Sequence, residues 1–276
     1  MENKIQKLHS SLSNIKNNLI DRYYQFRIYT IQDPYKIRLR SHPYRVIFIL
    51  SHMRSGSSLF THILNSNPEI IGYGETHLKY TSESDVKQLL FKVYKTLRKM
   101  QMSHKYILDK ILHNHKILEE KLLTSDSLHT IFLVREPQRT LASILNIKPH
   151  WSEEKALNYY IERLLTLEKY AKLINNKDRT LWLDYDQIVN NSNSVFRELQ
   201  NFLGTKTGFS EEYEVLKTTG TKGIGDSSEN IKVGRIIRNQ RQLEEKISPE
   251  SVEKALYYFN QCSATLAQYC SSIKSL

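Results

Sequence analysis

The chain has 276 residues, 39% of them hydrophobic and 25% charged, which suits one large α/β domain or a domain with helical additions. Nine glycines and six prolines exclude a collagenous or low-complexity chain. With 40 Lys and Arg against 29 Asp and Glu, the formal charge of +11 points to an acidic partner: nucleic acid, a membrane surface or a polyanionic small molecule.

The first 14 residues lack the apolar centre of a signal peptide, and no apolar run approaches the ~20 residues needed to cross a bilayer. The two cysteines, Cys262 and Cys270, cannot staple a fold this large and lack metal-ligand spacing. The expectation is a cytoplasmic protein. Residues 1–43 read as an N-terminal helical extension, and 44–276 as one α/β domain that includes C-terminal helices. In the extension, Ile5, Leu8, Leu12, Ile15 and Leu19 recur at steps of three and four, predicting a helix over 4–28. Such a stripe serves packing on its own domain, a homodimer seam, or peripheral membrane docking aided by Arg22, Arg27, Lys36, Arg38 and Arg40.

Val46 to Leu50 is an unbroken apolar run, long enough for a strand buried on both faces. It stops at Ser51-His52-Met53-Arg54-Ser55-Gly56-Ser57-Ser58, and a helix carrying Leu59, Phe60, Ile63 and Leu64 on one face follows. Asn67-Pro68 ends that helix. The unpaired N–H groups of a helix start suit an anion, so this turn reads as a phosphate cradle.

A second strand is predicted over 69–74, a helix over 83–102, a third strand over 105–111 and a helix through Leu123. Thr130 to Val134 reads as a fourth strand ending at Arg135, and Pro137 opens the next helix. Further elements are a helix over 153–176, a fifth strand at Leu181–Leu183, a helix from Val195 to Leu203, a polar loop over 218–234 and C-terminal helices from Arg241. Alternating strands and helices predict a central parallel sheet flanked by helices, whose ligands lie at the carboxyl ends of the strands. Ser51 to Ser58, Glu75, His113, Arg135 and Tyr185 all follow strand ends and are expected to converge.

A nucleoside-triphosphatase loop requires G-x-x-x-x-G-K-[ST]. Here the first glycine is missing and Ser57 replaces the lysine, so an ATP-dependent kinase using Asp184 for magnesium stands only as an alternative. A basic, non-enzymatic polyanion binder is a further one. Arg135, with Arg139 and Ser143 on the next helix, offers a second anion site.

Taken together, the cradle and the second anion site resemble the sulfotransferases that use 3′-phosphoadenosine 5′-phosphosulfate (PAPS). Arg54-Ser55-Gly56-Ser57-Ser58 matches the family's 5′-phosphosulfate loop, with arginine where the cytosolic enzymes usually have lysine. Arg135 and, eight residues later, Ser143 match its 3′-phosphate pair. Lys222-Gly223 resembles the family's basic residue-Lys-Gly element, although Thr221 stands where the basic residue belongs. Asp184 to Ile188 resembles the turn that brings Tyr185 to the adenine. The resemblance covers residues 44–240 and implies PAPS as sulfuryl donor, no metal, and no nucleic-acid partner.

For the base, Gly74-Glu75-Thr76-His77-Leu78 resembles a segment of the glycosaminoglycan-modifying branch in which glutamate takes the acceptor's proton. Asp109 to His113 is a looser match to the Lys-Thr-His strand end of the cytosolic branch. Glu75 is therefore placed ahead of His113, with Arg54 and Lys110 stabilising developing charge. The expected acceptor is a hydroxyl of a carbohydrate or glycolipid, with Tyr73, Tyr80, Trp151 and Tyr159 as candidate stacking faces.

Overall fold

In the computed structural model, residues 2–117, 119–216, 218–220, 229–238 and 247–273 are described, with side chains from residue 13 onward except that of Glu229. The apolar run forms β1 (Arg45–Ser51), whose alternate residues face two different cores. Val46, Phe48 and Leu50 enter one layer; Ile47 and Ile49 enter the other. Around β1 lie β2 (Ile70–Ile71), β3 (Tyr106–Ile111), β4 (Leu128–Val134), β5 (Thr180–Asp184) and β6 (Ser271–Ser272). They form one sheet in the order β2-β3-β1-β4-β5-β6, with every pairing parallel. This is the expected α/β architecture.

The first layer is covered by α1 (Glu2–Tyr29), α3 (Asp85–Leu97), α4 (Pro137–Ile147), α5 (Glu153–Ile174) and α9 (Pro249–Tyr269). The second is covered by α2 (Ser57–Asn65), α6 (Tyr185–Asn190) and α7 (Ser192–Leu203), while the short α8 (Glu229–Lys232) contributes Ile231. Burying both faces explains why Val46–Leu50 of β1 and Ile131–Val134 of β4 read as continuous apolar runs instead of alternating.

The C-terminal half of α1 packs on this body. Tyr24 and Ile28 are fully buried, and the Lys87 ammonium donates to the carbonyls of Ile28 (2.8 Å) and Lys36 (2.6 Å). Ile15 and Leu19 of the stripe are exposed at 55% and 61%, so the side buried here is not the one that the stripe marks.

Four expectations are corrected. The helix expected between Ile111 and Leu123 is replaced by two 3₁₀ turns, Asn114–Lys116 and Glu120–Thr124. Their backbone is claimed at long range instead, since Tyr80 N donates to Lys116 O and Glu119 N to Tyr80 O. Helix α3 stops at Leu97, where Arg98 adopts φ 53 and its guanidinium reaches Asp21 at 2.6 Å. The segment after Asp184, read as a turn, is the helix α6. Ser271–Ser272 adds an unforeseen edge strand; two serines carry little strand preference, and pairing with Leu181 and Trp182 specifies it.

Candidate active site

The strand register places Leu50 beside Ile111, Ser51 beside Leu133, and Val134 beside Asp184. The carboxyl ends of four strands therefore reach one edge of the sheet together. There the chain opens a cleft of about 440 Å³, walled by Arg54, Gly56, Ser57, Ser58, Glu75, Lys110, His113, Arg135, Arg139, Ser143 and Tyr185. The expected convergence is what the structure displays.

The cradle turns through two left-handed residues, Arg54 at φ 64 and Gly56 at φ 87. Gly56 is the N-cap of α2 and supplies no side-chain cap, so the first-turn N–H groups have no side-chain acceptor from the cap. Tyr185 lies directly on Gly56: a Cβ there would sit 2.1 Å from the tyrosine ring. Ser55 behaves differently from its neighbours, because its hydroxyl is buried without a partner among the described residues and does not wall the cleft.

The two expected anion sites touch. Arg54 Nε donates to Ser143 Oγ at 2.7 Å, and Arg135 Nη1 donates to Arg54 O at 3.3 Å. The Arg135 guanidinium lies 4.2 Å from the centre of the Tyr185 ring, and its Nε is buried without an acceptor among the described residues. Burial pulls the Arg135 pKa below its usual value; the Tyr185 hydroxyl and Glu136 oppose this, and Arg139 adds to it. An orphaned guanidinium N–H, a cradle that one methyl group would fill and clustered arginines are what a bisphosphate nucleotide requires. The residues present fit PAPS.

At the other end of the cleft, Lys110 Nζ is 3.2 Å from Ser58 Oγ and 3.6 Å from Glu75 Oε1. His77 Nδ1 is 3.7 Å from Glu75 Oε2. His113 also walls the cleft, stacked on His115 and tilted against Tyr159. Burial holds His113 neutral, its pKa lowered to about 4, with His115 and Arg163 acting in the same direction.

Several proposed contacts move elsewhere. Tyr73 and Tyr80 are buried in the first core layer, at 4% and 0% exposure, because the chain after β2 turns inward; neither offers a face to a sugar. Tyr159 spends its hydroxyl internally, accepting from Met53 N (2.8 Å) and donating to Leu112 O (2.9 Å). The Asp184 carboxylate caps α6, accepting from Asp186 N at 2.7 Å, and is absent from the cleft wall. Lys222 and Gly223 lie outside the described residues.

Two buried residues that support the site were missed. His52 is fully buried; its Nε2 accepts from Arg135 N at 3.1 Å, and its Nδ1 lies 2.9 Å from Met53 O. A neutral ring protonated at Nδ1 satisfies both contacts and ties the cradle to the second anion site. Desolvation lowers its pKa to about 4. Arg163, 1% exposed, donates to Ser51 O (2.9 Å), Ile111 O (2.8 Å) and Asn114 Oδ1 (2.9 Å), holding the ends of β1 and β3 together. The available signal was an arginine within the apolar stripe of α5.

The family model described as Sulfotransferase domain matches residues 45–222. Among solved structures, the chain is similar to the sulfotransferase domain from the curacin biosynthetic pathway, with TM-score 0.52 and 16% identity over 80% of this chain and 99% of that one. It is similarly related to the sulfotransferase domain from the Synechococcus PCC 7002 olefin synthase, with TM-score 0.51 and 16% identity over 83% of this chain and 96% of that one. At these identities the likeness is one of fold. No curated protein matches the sequence.

Proposed function

Because the chain belongs to the sulfotransferase domain family, we propose that it moves a sulfuryl group from PAPS to an acceptor hydroxyl, on a carbohydrate or glycolipid. The observation that carries this reading is the pair of touching anion sites, joined by the 2.7 Å bond from Arg54 to Ser143. The carbohydrate acceptor rests on Glu75, which fits the glutamate-base pattern and walls the cleft.

PAPS would supply the sulfuryl group on a nucleotide that departs as adenosine 3′,5′-bisphosphate. The α2 amides, Ser57, Ser58 and Arg54 would hold the 5′ end, while Arg135 and Ser143 would hold the 3′-phosphate. Tyr185, fixed between Gly56 and Arg135, would offer its remaining surface to the adenine. Glu75 Oε1 or Oε2 would take the proton of the acceptor hydroxyl as the hydroxyl attacks. The ammonium of Lys110, 3.2 Å from Ser58 Oγ and 3.6 Å from Glu75 Oε1, would stabilise the negative charge that develops on the departing oxygen. Such chemistry asks the protein for positioning and charge more than for covalent participation.

A second reading gives the proton to His113, which burial keeps neutral in the same cleft. Isothermal titration with adenosine 3′,5′-bisphosphate and transfer from labelled PAPS into an acceptor extract test the function. Tight binding lost in Arg135→Ala is the expected result. Magnesium-dependent binding of ATP, indifferent to a 3′-phosphate, would refute it.

A further inference from the structure

Asp109 is an acid in the middle of a buried strand, and the chemistry described above does not use it. Strand β3 alternates: Tyr106 and Leu108 enter one core layer, while Ile107 and Ile111 enter the other. Asp109 shares the face of Ile107 and Ile111 and is 1% exposed. An ionised carboxylate there is costly unless its oxygens are fully hydrogen-bonded.

They are. Oδ1 accepts from Thr76 N (2.9 Å) and from Lys110 N (2.9 Å). Oδ2 accepts from Thr76 Oγ1 (2.7 Å) and from the Tyr80 hydroxyl (2.7 Å). These four donors fill the acceptor capacity of a carboxylate.

The donors belong to the two segments that carry the reacting end of the cleft. The pairing of β2 with β3 covers only Ile70 with Tyr106 and Ile71 with Ile107. Beyond it the chain leaves the strand through Gly74 at φ 114, and the last backbone link is a long one, Lys110 N to Gly74 O at 3.3 Å. Where the ladder stops, the Asp109 carboxylate takes over, binding the Glu75–Thr76 peptide on one side and the Lys110 peptide on the other. The Lys92 ammonium holds the Thr76 carbonyl from the opposite direction. The peptide that bears Glu75 is thus fixed against the strand that bears Lys110.

We propose that Asp109 is a positioning residue that sets the Glu75 carboxylate against Lys110 by locking Thr76 to β3. The inference rests on the sulfuryl-transfer reading and on Glu75 as base. It makes a specific demand of chemistry at position 109. In Asp109→Asn, the remaining carbonyl oxygen still accepts from the two backbone N–H groups. The new amide N–H groups face Thr76 Oγ1 and the Tyr80 hydroxyl, both of which rotate to accept. In Asp109→Ala, Thr76 N loses its acceptor and Lys110 N keeps only the long bond to Gly74 O.

The test compares transfer from labelled PAPS at saturating donor with titration of adenosine 3′,5′-bisphosphate, in wild type, Asp109→Ala and Asp109→Asn. The expected result is a fall in transfer rate of about 10²-fold in Asp109→Ala, the scale of a misplaced reacting group. Donor affinity stays unchanged, and Asp109→Asn keeps most of the rate. In a Glu75→Gln background, Asp109→Ala should cost nothing further, because it acts through the group already removed. Wild-type rates in Asp109→Ala, or an equal further loss in the Glu75→Gln background, overturn the inference alone. A wild type that transfers nothing overturns the functional reading and the inference with it. If Asp109→Ala no longer binds the nucleotide, Thr76→Ala decides: a reduced rate with intact binding supports the role, and an unchanged rate rejects it.

Discussion

A single methyl group at position 56 probes the junction of the two anion sites. Gly56 has φ 87, a conformation that costs an L-residue about 1–2 kcal/mol. The added Cβ would also lie 2.1 Å from Tyr185 Cδ2 and 2.4 Å from Cε2, so the ring must swing away. In moving, it gives up the Arg135 guanidinium 4.2 Å from its centre. That contact is worth about 0.5–2 kcal/mol in a partly desolvated site. Together the two effects come to about 1.5–4 kcal/mol, or roughly 10- to 1000-fold in affinity if all of it falls on nucleotide binding. Isothermal titration of Gly56→Ala with adenosine 3′,5′-bisphosphate measures that share, and a thermal melt measures the rest. In a Tyr185→Ala background the same substitution should cost only the backbone part, about 1–2 kcal/mol. Affinity within twofold of wild type, with an unchanged Tm, would show that the ring and the cradle are not coupled.

Arg135→Ala should weaken binding of the 3′-phosphorylated nucleotide by about 1.5–3 kcal/mol, as expected for a lost hydrogen bond to a charged group. The same titration with a nucleotide lacking the 3′-phosphate should show little change, and equal losses for both ligands would move Arg135 off that phosphate. Glu75→Gln should lower transfer by about 10²–10⁴-fold with binding intact. If His113→Ala instead abolishes transfer while Glu75→Gln is active, the proton goes to the histidine. Stability should also fall in acid. His52, His104, His113 and His129 are all held near a pKa of about 4, chiefly by burial, against 6.5 for an ordinary histidine. The unfolded chain therefore binds protons that the folded chain refuses. Stability is complete above pH 6.5 and drains away as pH falls toward 4. Melts at pH 7 and pH 5 should differ less in His129→Leu, which removes one such group along with a buried Nδ1 that has no partner among the described residues. An undiminished difference would place the acid sensitivity elsewhere.

Much of this site was legible in the chain because its parts are local. A strand, a turn and a helix start fall within Val46 to Leu64, and the cradle needs nothing beyond small residues and the chain's own amides. Arg139 and Ser143 lie one helical turn apart on α4, so their common face follows from α-helical period alone, and Arg135 stands just ahead of that helix, at the end of β4. Apolar runs and their alternation with helices were also enough to anticipate the parallel sheet and to place a cleft at its carboxyl edge.

What the sequence could not supply lies across long separations. Thr76 meets Asp109 from 33 residues away, Arg135 meets His52 from 83, and Arg163 reaches Ser51 across 112. In sequence Asp109 is only an acid in an apolar strand and Arg163 only a charge in an apolar stripe, because hydrophobic periodicity carries no record of which buried polar groups satisfy one another. The same limit hid β6, whose two serines become a strand only by pairing with β5. It also misjudged Tyr73 and Tyr80, whose burial depends on the path of the chain after β2. Local period and turn chemistry determined that an anion cleft would form. Only tertiary packing decided which buried hydrogen bonds hold Glu75, Lys110 and Arg135 in place around it, since an unpaired buried polar group is costly and its partner must be brought to it by the fold.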